Sequence, residues 1–291
     1  MSKLPNFMII GAMKSATSTL QDQLVQQPDV FMCDPKEPNF FSNDVVYNKG
    51  IEWYCDLFES APAGALIGEA STHYTKLPTY PDTIERLKLH CPDTKFIYVM
   101  RHPIDRLISH YIHEWSTGVY QCDINEAIDI YPELTAYSCY AMQLEPYIAS
   151  FGRNKILPVF FDKLIKHSQT ELERVAEHIG YKQTPVWHTA LKAKNISSKR
   201  IKKFPLYQLL IESSIAKSLR RNLVPKKLRN FVKSKLRMQQ RPIINDDNIR
   251  KLEDVFNQDL AVLGTWLGTE LTCQNFKEIT ATTELNWINN D

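Results

Sequence analysis

The run Lys95-Phe96-Ile97-Tyr98-Val99-Met100 constrains the fold more than any other part of the chain. After one lysine it is unbroken apolar and aromatic, with no alternation. A strand of that kind is covered on both faces, the condition of a parallel sheet between layers of helix. Arg101-His102-Pro103 stands at its carboxyl end, and Pro103 suits the first turn of a helix presenting Leu107, Ile108 and Tyr111. Phe7 to Ile10, residues 65–70 and residues 156–161 read as further strands. Helical spacing is expected from Thr17, around Trp53 to Phe58, over Thr83 to His90, near Ala136 to Phe151 and from Ser168 to Ile179, where Gly180 is a stop. Asn245, Asp246 and Asp247 offer caps for a last helix, whose stripe of Leu252, Phe256, Leu260, Leu263 and Leu267 faces a core. Beyond Leu271 the tail reads as largely polar, with Trp287 and Ile288 near its end. Strands alternating with helices predict an α/β layered architecture, a mostly parallel central sheet flanked by helices, in one domain over residues 1–291.

The 291 residues suffice for a core without staples. None of the six cysteines lies in a CxxC pair, so close-spaced zinc ligation is unsupported and buried free thiols are expected. No H-E-x-x-H or other metal-ligand pattern is present. The formal charge of +2 hides an asymmetry. From Lys192 to Arg241 there are 16 Lys or Arg and one acid, Glu212, leaving an acidic body. This basic segment reads as helical in two pieces, broken at Pro225. An acidic body argues against a DNA coat, and no nucleic-acid recognition motif accompanies the basic stretch. The Phe7 to Ile10 run is too short for a signal-peptide core, and no stretch approaches the roughly 20 apolar residues of a membrane helix. The expectation is a soluble, cytoplasmic chain without stable membrane association.

The stretch Gly11-Ala12-Met13-Lys14-Ser15-Ala16-Thr17-Ser18-Thr19-Leu20 carries the most chemistry. A strand runs into a small-residue loop with one lysine, and hydroxyl residues then enter a helix. Backbone N–H groups and the positive helix end hold anions there. Lys14 adds charge, and Ser15, Thr17, Ser18 and Thr19 add donors. A tetrahedral anion such as phosphate fits. It is not a Walker A loop, because Lys14 follows Gly11 by only three positions and the second glycine is missing.

These residues resemble the signature x-K-[ST]-G-T-T-x-L of sulfotransferases that use 3'-phosphoadenosine 5'-phosphosulfate (PAPS). Lys14, Ser15, Ala16, Thr17, Ser18 and Leu20 take the corresponding places. Ala16 stands where that family prefers glycine, and alanine tolerates positive φ less well. Arg101 to Tyr111 is similar to R-x-P-x-x-R-x-x-S-x-Y, in which the resemblance gives Arg101 and Ser109 the donor's 3'-phosphate. Arg106 fits either a structural salt bridge or the donor site. Pro35-Lys36-Glu37-Pro38-Asn39-Phe40-Phe41 resembles the K-E-x-x-F-F segment of the heparan sulfate branch and its bacterial relatives, which makes Glu37 the expected general base. Glu69 to Tyr74 is similar to E-K-[ST]-P-x-Y, with Ala70 and Thr72 replacing lysine and proline. His73 is the alternative base or an acceptor contact. A later segment around Asn195 places Lys194 near donor phosphates, with Lys192 and Arg200 as further candidates.

The resemblance implies a P-loop-like sulfotransferase fold and transfer of SO₃ from PAPS to an acceptor hydroxyl, less readily an amine, leaving adenosine 3',5'-bisphosphate (PAP). It requires no metal. The expected acceptor is a polar small molecule of bacterial natural-product biosynthesis, in the extreme a guanidinium alkaloid such as a saxitoxin. A carbohydrate or lipid-linked saccharide, and a noncatalytic anion- or nucleic-acid-binding protein, are the alternatives. A homodimer is left open.

Overall fold

The computed structural model describes residues 3–191 and 240–288. The two helical pieces expected in the basic segment, and with them Lys192, Lys194, Asn195 and Arg200, lie outside the described residues.

Five parallel strands form one sheet: β1 (Phe7–Gly11), β2 (Val30–Met32), β3 (Leu66–Ala70), β4 (Lys95–Met100) and β5 (Ile156–Phe160), in the order β2-β3-β1-β4-β5. From Phe96 to Met100 every side chain of β4 is fully buried, as the unbroken apolar run predicts. At about 1.5–3 kcal/mol for each large apolar side chain removed from water, such a strand anchors the whole sheet. The short β2, in register with β3 through Phe31 opposite Ile67, was not expected.

Helices α1 (Thr17–Val25), α2 (Asp44–Tyr47), α3 (Ile51–Asp56), α4 (Thr83–His90), α5 (Pro103–Thr117), α6 (Ile124–Ile130), α7 (Glu133–Ala136), α8 (Tyr140–Phe151), α9 (Phe161–Lys166), α10 (Ser168–Ile179), α11 (Asp246–Leu267) and α12 (Phe276–Thr282) complete the described elements, with a 3-10 helix at Thr72–Thr75. The boundaries of α4 and α10 match the sequence reading, Gly180 closes α10 at φ 83°, and Asn245 caps α11 by accepting from Asn248 N–H. The expected helix from Ala136 starts at Tyr140 instead, after the separate turn α7.

Two cores sandwich the sheet. Leu20 and Leu24 of α1 join Leu172, Val175 and Ile179 of α10 over Ile9, Ile97 and Val99. Leu107 of α5 and Leu144 and Tyr147 of α8 cover Ile10, Phe96, Tyr98 and Met100 on the other side. The helices that follow β1 and β4 therefore leave on opposite faces, and a crevice opens between those neighbouring strand ends. That is where open α/β sheets bind ligands.

The carboxyl-terminal tail is built into the body rather than being a polar appendage. Phe276 is fully buried, and the Trp287 indole N–H donates to Ile156 O at 2.6 Å. All six cysteines are free thiols, four of them buried. No helix among the described residues is long and apolar enough to cross a membrane.

Candidate anion-binding and acceptor site

The chain leaves β1 through Ala12, whose N–H donates to Val99 O at 2.8 Å and so prolongs the β1–β4 pairing to the rim of the crevice. Gly11 is needed there for close approach. A Cβ on it would stand 2.0 Å from Thr75 Oγ1 and 2.8 Å from the Tyr98 ring. Thr75 Oγ1 donates to Ile10 O at 2.7 Å, so the 3-10 helix is seated on the end of β1.

Lys14 and Ala16 both lie in the left-handed region, at φ 74° and 70°. Their alternation with neighbours turns the loop into a backbone concavity ahead of α1. Ala16 thus occupies a glycine-like conformation, and it serves as the N-cap of α1 without any side-chain cap. The first N–H groups of α1 keep their positive ends toward the crevice. Ser15 is fully buried, and its Oγ has no hydrogen-bond partner among the described residues. An unpaired buried hydroxyl costs free energy unless a partner reaches it. Thr17 is buried, and Thr19 N–H donates to Ala16 O at 2.9 Å. Ser18 Oγ accepts from Lys36 Nζ at 2.6 Å. Lys36 therefore brings a second cation to the first turn of α1, which sequence reading had treated only as the neighbour of Glu37.

Arg101, at the end of β4, donates from Nη1 to Lys14 O at 3.4 Å, and its guanidinium lies 4.7 Å from the Phe161 ring centre. The two motifs far apart in sequence thus meet at one rim. Tyr140 of α8 secures the arginine backbone, since its hydroxyl receives from Arg101 N–H and donates to Arg101 O. Ser109 is buried within α5. Arg106 takes neither of its expected roles. It is fully buried, donates from Nε to Ser138 Oγ and from Nη2 to Leu134 O, and has no carboxylate partner among the described residues. It ties α5 to the 134–138 segment. Asp105 gathers two more cations beside Arg101: Arg241 at 2.9 Å and Lys277 at 2.6 Å. Arg241 is the last residue of the basic stretch, and only its fold-back onto Asp105 reveals this proximity.

Glu37 is held from below. Its N–H donates to Ala70 O at 3.1 Å, Asn39 N–H donates to Ser71 Oγ at 3.1 Å, and Glu37 and Asn39 both take positive φ. Thr72 Oγ1 donates to Glu37 Oε1 at 3.1 Å. The threonine that replaces the pattern's proline therefore orients this carboxylate. Glu69 is fully buried and receives hydrogen bonds from Tyr54 and Ser71, so it braces the floor, while burial raises its pKa. His73 stacks on Tyr80 with ring centres 4.9 Å apart. Burial, with Lys76 adding to it, pulls its pKa down to about 4, and Nδ1 has no partner among the described residues. It is a neutral imidazole near pH 7.

A family model described as the sulfotransferase family matches residues 39–185, half of the chain. The chain belongs to the sulfotransferase family. The mouse heparan sulfate glucosamine 3-O-sulfotransferase 3B1 is 32% identical over 193 residues, covering 62% of this chain and 47% of that protein. The membrane-associated sulfotransferase kil1 of Dictyostelium discoideum is 38% identical over 111 residues, 37% of this chain and 22% of that protein. The chain spans about half the length, or less, of these curated relatives. Among solved structures, a sulfotransferase from Alicyclobacillus acidocaldarius superposes with a TM-score of 0.67 at 22% identity, covering 92% of this chain and 98% of that one. The mouse sulfotransferase SULT7A1, solved with PAP, gives 0.50 at 12% identity, covering 88% and 84%. These likenesses establish a sulfotransferase fold for the sheet and its rim. The matched family region starts after the 11–20 loop, so that loop stands on its own geometry.

Proposed function

We propose that the chain transfers a sulfuryl group from PAPS to a hydroxyl of a polar small molecule. The observation that carries this reading is the meeting of the Lys14 loop and Arg101 at one end of the β1–β4 crevice. The donor set fits PAPS chemically: a backbone concavity and helix end for the 5'-phosphosulfate, and Arg101 with Ser109 for the 3'-phosphate. PAPS when bound supplies the sulfuryl group and the bridging bond that breaks.

The residues around it do the rest. Lys14 neutralises charge developing on the leaving bridge oxygen. Ser15, Thr17, Ser18 and Thr19 fix orientation together with backbone N–H groups. Glu37, aimed by Thr72, takes the proton of the acceptor hydroxyl. His73 is the second candidate base, but its stacking on Tyr80 and its low proton affinity suit an acceptor wall better. Lys194 remains a proposed donor contact.

A cationic acceptor, such as a guanidinium alkaloid of the saxitoxin type, is the finer form of this reading, with Glu37 as the carboxylate it would meet. A carbohydrate acceptor is the second reading, supported by the His73–Tyr80 stack and by the names of the mammalian relatives. The test is an acceptor library incubated with PAPS and read by mass for the gain of one SO₃. Sulfated product from a small polyol, phenol or alkaloid supports the first reading, and product from saccharides alone supports the second. Neither PAP binding nor transfer would mean a noncatalytic anion-binding protein.

A further inference from the structure

Lys76 closes the 3-10 helix that carries Thr72 and His73. Its surroundings are unusual for an ammonium. The side chain is partly buried, and its Nζ lies 5.8 Å from the Tyr137 ring centre. No ion pair or hydrogen bond engages its three N–H donors among the described residues. The charges that act on it come from separate elements: Glu37 from the loop after β2, and Glu114 and Arg106 from α5. His73 and His110 feel its charge in turn.

The neighbouring carboxylates are already engaged. Glu37 Oε1 accepts from Thr72, and Glu114 Oε1 lies 3.6 Å from His110 Nε2 and 3.9 Å from His113 Nε2. Lys76 keeps unspent N–H donors, and Arg106, whose Nη1 is also unpartnered, is fully buried. A partly buried ammonium in that condition is poised for an oxygen that arrives with a ligand. The resemblance pattern places a lysine at position 70, where this chain has an alanine.

We propose that Lys76 is an acceptor-binding residue, donating to an acceptor oxygen adjacent to the one that Glu37 deprotonates. It follows that acceptors with oxygens on neighbouring carbons are preferred over otherwise similar mono-ols. The proposal rests on the sulfotransferase reading above and adds the residue and the acceptor pattern.

Catechol and phenol are suitable probes, offered with PAPS to the full chain, its Lys76→Met variant and its Lys76→Arg variant. The unmodified chain should favour catechol in kcat/KM by roughly 10- to 100-fold, the worth of one charge-assisted hydrogen bond. Lys76→Met should erase that preference through the catechol KM, leaving the phenol values and PAP affinity unchanged, and Lys76→Arg should restore part of it. The ratio is read on the same preparation, so partial unfolding of a variant does not alter it. An equal ratio in the unmodified chain and Lys76→Met, no preference for catechol, or turnover of neither probe by a protein that binds PAP overturns the proposal. Failure to bind PAP instead removes the sulfotransferase reading itself.

Discussion

The two sides of the crevice are built on different principles. The proposed donor side is mostly backbone: a strand end, a loop with Lys14 and Ala16 at positive φ, and a helix start. Its loop is shaped by a contiguous sequence, which Arg101 joins from the end of β4. The proposed acceptor side is mostly side chain: Glu37, Thr72, His73, Lys76 and Glu114 come from three segments, with Thr72 holding Glu37 across two of them. A backbone-built site keeps its form through changes of residue type. A side-chain-built site changes its ligand whenever one residue changes, which suits the half of a transferase that must select among acceptors.

That contrast sets the order of the expected effects. Glu37→Gln should lower kcat by about 10²–10⁴-fold while PAP affinity stays within experimental error, because a base acts on the acceptor alone. His73→Gln should cost far less. A reversal of these two in steady-state kinetics would transfer the base to His73. Lys14→Ala should lower turnover by about 10²–10³-fold with every acceptor tried, since it acts on the leaving group. A loss confined to one acceptor would place Lys14 on the wrong side of the comparison.

A smaller effect distinguishes the two sides by pH. Burial lowers the pKa of His110 on α5 to about 4, and those of His73 and His178 likewise. The unfolded chain binds protons at these groups near pH 6.5 when the folded chain does not. Stability is therefore fully present above about pH 6.5 and is lost as pH falls toward 4, on the order of 2–3 kcal/mol for His110. Thermal melts should decline across that window, and His110→Gln should flatten the decline. At the other end, Lys76 loses charge as pH rises through about 8, so the KM of an acceptor that uses it should climb there. Lys76→Arg should remove that rise. The smallest change is Ala16→Gly. Relieving a left-handed alanine at φ 70° should raise stability by up to about 1 kcal/mol in denaturant melts, with little effect on acceptor choice.

The same contrast explains what sequence alone made legible. The Lys95 to Met100 strand, the Gly11 to Leu20 loop and the Arg101 motif are local patterns, and each folds as read. The 3-10 helix escaped notice because it is defined by distant partners: Thr75 against Ile10 and Thr72 against Glu37. The three-residue β2 is too short to carry a period. The tail escaped because Phe276 and Trp287 are isolated apolar residues, whose burial depends on α9, β5 and α11 being in place. Arg106 misled for a related reason. A buried arginine held by Ser138 and a carbonyl looks, in sequence, like any motif arginine.

The most direct test of the account is calorimetric titration of the chain and its Arg101→Ala variant with PAP. The account predicts one binding site per chain, weakened roughly 10- to 100-fold in Arg101→Ala through loss of a charge-assisted contact to the 3'-phosphate. Absence of binding by the unmodified chain, or equal affinity in the two proteins, would contradict it.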